Sequence, residues 1–66
     1  MNIDADILRE LREDLALSMR ELSKKSGVGH NTIYRIENGR TDAQPKTIRK
    51  LAEALGVSPR ELQGRK

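Results

Sequence analysis

Apolar residues fall at Ile7, Leu8, Leu11 and Leu15, with Arg9, Glu10, Arg12, Glu13 and Asp14 between them. Spacings of three and four place these apolar side chains on one side of a helix, predicting helix over about residues 4–15. The following Leu17-Ser18-Met19-Arg20-Glu21-Leu22 predicts a capping box with a hydrophobic staple. Ser18 serves as N-cap, Glu21 reaches back to it, and Leu17 packs on Leu22. The helix runs from Met19 to about Lys25 or Ser26 and stops at Gly27, which tolerates the left-handed conformation beyond a helix end. Ile33 and Ile36 mark a third helix, about 30–37, closed by Asn38-Gly39. Ile48, Leu51, Ala52 and Leu55 mark a fourth, about 45–55, opened by Pro45 and closed by Gly56. Val57-Ser58-Pro59-Arg60-Glu61-Leu62 repeats the box with Pro59 at the favoured first position, predicting a short last helix from Ser58 to about Gln63. No segment reads as a strand, so the expectation is an all-α chain of five short helices forming one domain over 1–66.

The third helix differs from its neighbours. Its entrance, Ser26-Gly27-Val28-Gly29-His30-Asn31-Thr32, is rich in indifferent helix formers, and Gly29 is an N-cap without a side-chain oxygen. Its first amides are left for another partner. The apolar positions Leu22, Val28, Ile33 and Ile36 can meet inside, and His30, Asn31, Tyr34 and Arg35 then face away.

Composition narrows what that face can do. The chain has 66 residues, no cysteine, no Phe or Trp, one Tyr and one His. A disulfide framework and thiolate metal sites are excluded, a zinc site cannot be built on one histidine, and the core has to be aliphatic. A chain this short has no room for a cofactor pocket with a catalytic shell, and no nucleophile–base pair, phosphate loop or metal ligand set is present. We therefore expect no enzyme, no cofactor and no metal. The acidic N-terminus and the lack of a long apolar run give no signal peptide or membrane span, and the expectation is a cytoplasmic protein, nucleoid-associated when bound. Net charge is +3, unevenly placed. Arg9 and Arg12 face five acids in residues 1–15, whereas residues 16–50 hold eight basic residues against Glu21, Glu37 and Asp42. A positive middle suits a polyanion.

Two short helices joined by a Gly-containing turn fit a helix-turn-helix, here at about 18–38, whose second helix enters the major groove of DNA. Asn pairs with adenine, Arg with guanine, His donates or accepts, and Tyr touches a thymine methyl or a phosphate. Amides at the starts of the second and third helices suit phosphate. The same four polar residues would also serve as an ordinary solvated helix face. Asp4, Asp6, Glu10, Glu13 and Asp14 read as solubilising charge, Lys24 and Lys25 as phosphate contacts or plain surface, and Met1 and Met19 as packing.

From Leu11 to Leu62 the chain resembles the Cro and phage-repressor type of helix-turn-helix regulator, the XRE-like family. The resemblance is carried by Leu17-Ser18-Met19-Arg20-Glu21-Leu22, Gly27-Val28, Thr32-Ile33-Tyr34-Arg35-Ile36-Glu37-Asn38-Gly39 and Thr47-Ile48-Arg49-Lys50-Leu51-Ala52-Glu53-Ala54-Leu55-Gly56-Val57. It implies a compact lambda-repressor-like fold and a sequence-specific transcriptional regulator that binds double-stranded DNA, as a homodimer on a pseudo-palindromic operator. By resemblance the base-reading positions are His30, Asn31 and Arg35, with Thr32 and Tyr34 at the edge. Backbone-contacting positions fall on Ser18, Met19, Arg20, Gly29, Asn38 and the 40–46 loop with Arg40 and Lys46. Arg12 and Glu37 match a structural pair that links the first helix to the end of the third, from which Arg12 also approaches a phosphate. The last helix, near Val57 and Leu62, is the expected dimer contact. This chain departs from the family at Met19, where Gln is common, and at Gly29, where Ser or Thr is common. Arg20 is then expected to replace some of the phosphate contact that a Gln would make. The missing Gln keeps a second reading in view: a protein-interaction module, such as an antitoxin-like or adaptor domain, with weak or no DNA binding.

Overall fold

The computed structural model describes residues 3–40 and 42–64. Met1 and Thr41, the latter inside the 40–46 loop, lie outside the described residues. Five helices follow one another: α1 Ala5–Asp14, α2 Met19–Ser26, α3 His30–Glu37, α4 Pro45–Leu55 and α5 Pro59–Leu62. No strand occurs among the described residues. The chain folds to a radius of gyration of 10.1 Å.

One aliphatic core organises the helices. Leu8 of α1, Leu22 of α2, Ile33 and Ile36 of α3, Ile48 and Leu51 of α4 and Leu62 of α5 are essentially inaccessible to solvent, and Val28 plugs the α2–α3 turn. Each helix contributes a narrow apolar stripe, too small to be buried alone, so every helix depends on the others. Helix α4 supplies the broadest face, with Ile48, Leu51, Ala52, Ala54 and Leu55 all buried. It packs on α2 and α5, while α1 packs on α3 and α5.

The caps sort into predicted and unpredicted. At α2 the box forms as expected: the Glu21 amide donates to Ser18 Oγ at 3.0 Å, and the Ser18 amide donates to Glu21 Oε1 at 2.8 Å. At α5 it does not form, since Ser58 makes no side-chain cap bond. The Glu61 amide donates instead to the Ser58 carbonyl at 3.0 Å, a tight turn that takes the donor a capping box would use. Helix α4 also lacks a side-chain cap, so the bare start of α3 is not unique. At α1, Asp4 is the N-cap and accepts from the amides of Asp6 and Ile7. One of the five N-terminal acids is thus a cap, and its own amide donates to the Leu62 carbonyl at 2.7 Å, tying α1 to α5.

Leu62 is fully buried beneath α1 and α4, so this residue cannot supply the dimer contact assigned to it by sequence. Val57, half-buried, also packs on the core.

Helix α1 ends in a Schellman motif with an unusual residue. The Ala16 amide donates to the Glu13 carbonyl and the Leu17 amide to the Arg12 carbonyl, and between them Ala16 adopts a φ of +56°. The equivalent turn after α3 uses Gly39 at +69°. A Cβ in this region costs about 1–2 kcal/mol, and the extra backbone freedom of glycine offsets roughly half of that. Ala16→Gly is therefore expected to raise stability by about 0.5–1 kcal/mol, measured as a higher urea midpoint at unchanged m-value. A lower midpoint would contradict the strain assigned to this turn.

Candidate nucleic-acid interface

The α2–α3 turn is built by two serines that sequence reading passed over. Gly27, at φ +78°, ends α2 by donating to the Ser23 carbonyl. Ser26 Oγ donates to the Leu22 carbonyl at 2.7 Å and accepts from the Val28 amide at 3.1 Å, and Ser23 Oγ donates to the Val28 carbonyl at 2.6 Å. These bonds lock both polar groups of Val28 while its side chain enters the core. The α2–α3 turn is thereby held by hydroxyl bonds as well as by the apolar plug. Their sequence signal is only that two small hydroxyl residues precede a helix-ending Gly within one turn.

With the apolar side of α3 anchored by Ile33 and Ile36, the other side is bare. His30, Asn31, Thr32, Tyr34 and Arg35 are all exposed, and Tyr34 keeps 47% of its surface in solvent. Thr32 and Arg35 line one wall of an open groove whose other wall is Asp42, Ala43, Gln44 and Thr47. The groove joins the α3 face to the start of α4, and exposed Arg40 and Lys46 flank it along the chain.

Helix ends point the same way. Gly29 caps α3 with no side-chain bond. Its φ is −59°, accessible to any residue, and a Cβ there would meet only Thr32 Oγ1 at an ordinary 3.7 Å. Nothing inside the protein requires glycine at this position; a close approach by an external group would. At α2 the box consumes the Glu21 amide, but the Met19 and Arg20 amides have no partner among the described residues. Met19 turns its side chain onto the core, while Arg20 stays exposed. The Ser18 bonds also hold the Glu21 carboxyl below the ordinary carboxylate range, the backbone amide contributing most. The box fixes the α2 start and leaves the Met19 and Arg20 amides as its open donors.

Asn38 closes α3, its Nδ2 donating to the Tyr34 carbonyl at 2.8 Å. Beyond it the Gly39 and Arg40 amides return to the carbonyls of Ile36 and Arg35. The last turn of α3 therefore has its carbonyls satisfied and a defined direction.

The buried acid of α3 is held from α1. Glu37 is 2% exposed, and Arg12 donates Nε and Nη2 to its two carboxylate oxygens at 2.7 and 3.0 Å, with Nη1 on the Leu17 carbonyl at 2.8 Å. One side chain thereby joins α1 to the end of α3 and, beyond the pair read from the sequence, to the segment before α2. The hydrogen bond to Glu37 raises the Arg12 pKa, outweighing burial. Lys24 and Lys25 are exposed in the last turn of α2. No group of acids, histidines or cysteines able to hold a metal ion occurs among the described residues. No helix there is long and apolar enough to cross a membrane.

A model of the helix-turn-helix family matches residues 8–62. The chain belongs to this family. It is 49% identical over 51 residues to the HTH-type transcriptional repressor RghR of Bacillus subtilis, a match covering 76% of this chain and 38% of that one. The chain therefore spans well under half the length of this curated relative. Its fold matches the restriction-modification controller protein C.AhdI from Aeromonas hydrophila with a TM-score of 0.84 at 38% identity, covering 88% of both chains. It also matches the DNA-binding domain of the P22 c2 repressor, with a TM-score of 0.82 at 28% identity over 97% of this chain and 88% of that one.

Proposed function

We propose that this helix-turn-helix protein is a sequence-specific DNA-binding transcriptional regulator whose α3 lies in the major groove. The observation that carries the reading is the exposed face of His30, Asn31, Thr32, Tyr34 and Arg35 beside two helix starts with free amides. A helix about 10–12 Å across fits a groove about 12 Å wide. Asn31 and Arg35 are the strongest base readers, since each can make two parallel hydrogen bonds to one purine. Ser18, the Met19 amide, Arg20, Gly29, Asn38, Arg40 and Lys46 are assigned to the phosphate backbone.

Eight residues of α3 span roughly 12 Å, enough for only three or four base pairs. We therefore propose a homodimer on a pseudo-palindrome, with half-sites about 34–36 Å apart. With Leu62 buried, contact through the last helix falls to exposed Pro59, Arg60, Glu61 and Gln63, next to the shallow apolar groove that Pro59 and Gln63 share with Pro45, Ile48 and Arg49. The likeness to a transcriptional repressor and to a restriction-modification controller protein supports a regulatory role, and we place the protein in the cytoplasm. The experiment is recovery of bound duplexes from a random pool, in which a two-fold symmetric consensus supports the reading.

A further inference from the structure

Two arginines share the Glu37 carboxylate and use it differently. Arg12 takes both oxygens and the Leu17 carbonyl, all within 3.0 Å. Arg9 donates one hydrogen bond, from Nη2 to the Glu37 main-chain carbonyl at 3.1 Å, while its Nε stands 3.8 Å from Oε1. That separation is an ion pair too long for a hydrogen bond. The one buried carboxylate is shared by two guanidinium groups, with Glu13 acting more weakly on Arg12, so one arginine of the cluster carries the less neutralised charge. That arginine is Arg9, whose side chain is 46% exposed against 12% for Arg12.

The position of that charge matters. Arg9 holds the carbonyl of the residue before Asn38, and Arg12 holds the carbonyl of the residue before Ser18. The cluster thus lies between two segments assigned to the DNA backbone. Asp6 and Glu13 stand one helical turn from Arg9 on α1, yet its ion pair among the described residues is with Glu37. A guanidinium presents five N–H donors in a planar fork suited to phosphate, and Arg9 spends one of them internally. That one bond holds the group in place, lowering the entropy lost on binding.

We propose that Arg9 binds a DNA phosphate, adding an anchor on α1 to those on α2, α3 and the 40–46 loop. The proposal rests on the DNA-binding reading. A neutral Arg9→Gln variant loses one counterion-releasing contact per protomer, so the log–log slope of affinity against salt becomes shallower by about 0.9 per protomer. Arg9→Lys keeps the charge and restores most of the slope.

The test measures binding of wild type, Arg9→Gln and Arg9→Lys to a fluorescent duplex selected by the wild type and to a mixed-sequence duplex, from 50 to 300 mM KCl on the order used for such titrations. A shallower slope for Arg9→Gln on both duplexes, with rescue by Lys, supports the proposal. An unchanged slope with only a lowered melting temperature overturns it, leaving Arg9 as a tie between α1 and α3, while DNA binding by the wild type stands. Absence of salt-dependent binding by the wild type overturns the DNA-binding reading and this proposal together. Should Arg9→Gln fold poorly, the wild-type Arg9 Nε–Hε NMR signal decides: a shift on adding the mixed-sequence duplex supports the contact, and no shift overturns it.

Discussion

Glu37→Gln is expected to destabilise the protein by about 3 kcal/mol, near the lower end for breaking a buried ion pair from one side. The carboxylate is sealed from solvent while Arg12 retains 12% exposure, which is why the lower end applies. Gln fills the same space but leaves Arg12 charged, largely buried and short of its bidentate partner, and Arg9 without a counter-charge. A domain of this size holds only about 3–5 kcal/mol in total, so most of its stability is expected to go. The melting temperature should fall by roughly 12–24 °C, as followed by circular dichroism. Removing both charges in Arg12→Met with Glu37→Met is expected to cost less than the sum of the single changes, with a coupling of at least about 1 kcal/mol. Additive losses would show that the pair is not the link between α1 and α3 described above.

Arg35→Ala is expected to act on binding and to leave stability within about 0.5 kcal/mol, since it removes an exposed side chain. On the selected duplex it should cost about 1–3 kcal/mol, and the preference at one base pair per half-site should relax. Affinities on duplexes substituted at each position check this. A loss equal on every sequence would assign Arg35 to the phosphate backbone.

The helices were legible because their signals are local. The Ser18 to Glu21 box, Pro45 at a helix start and Gly27, Gly39 and Gly56 at helix ends state their geometry within four residues. The exposed face followed from one apolar side of α3, since burying Ile33 and Ile36 leaves His30, Asn31 and Arg35 outside. What stayed hidden depends on distant partners or on competition. Ser58 carries the same box letters as Ser18, but in a four-residue helix its carbonyl claims the amide first. Leu62 looked available near the end of the chain, yet α1 and α4 cover it. Arg9 is indistinguishable in sequence from any exposed helix charge, because its partner is 28 residues away. Glu37 did carry a signal: it lies four residues after Ile33 and next to Ile36, on the buried side of α3. Ala16 gave none, since a residue with a Cβ is uncommon at a positive φ and alanine has no side-chain polar group to favour it.

Selection of bound duplexes from a random pool tests the central claim most directly. The account predicts enrichment of a two-fold symmetric consensus with half-site centres about one helical turn apart, and loss of that enrichment when Asn31 and Arg35 are both replaced by Ala. Failure of the wild-type protein to enrich any sequence, while it forms a stable complex with another protein, would contradict the claim and make this helix-turn-helix a protein-binding module.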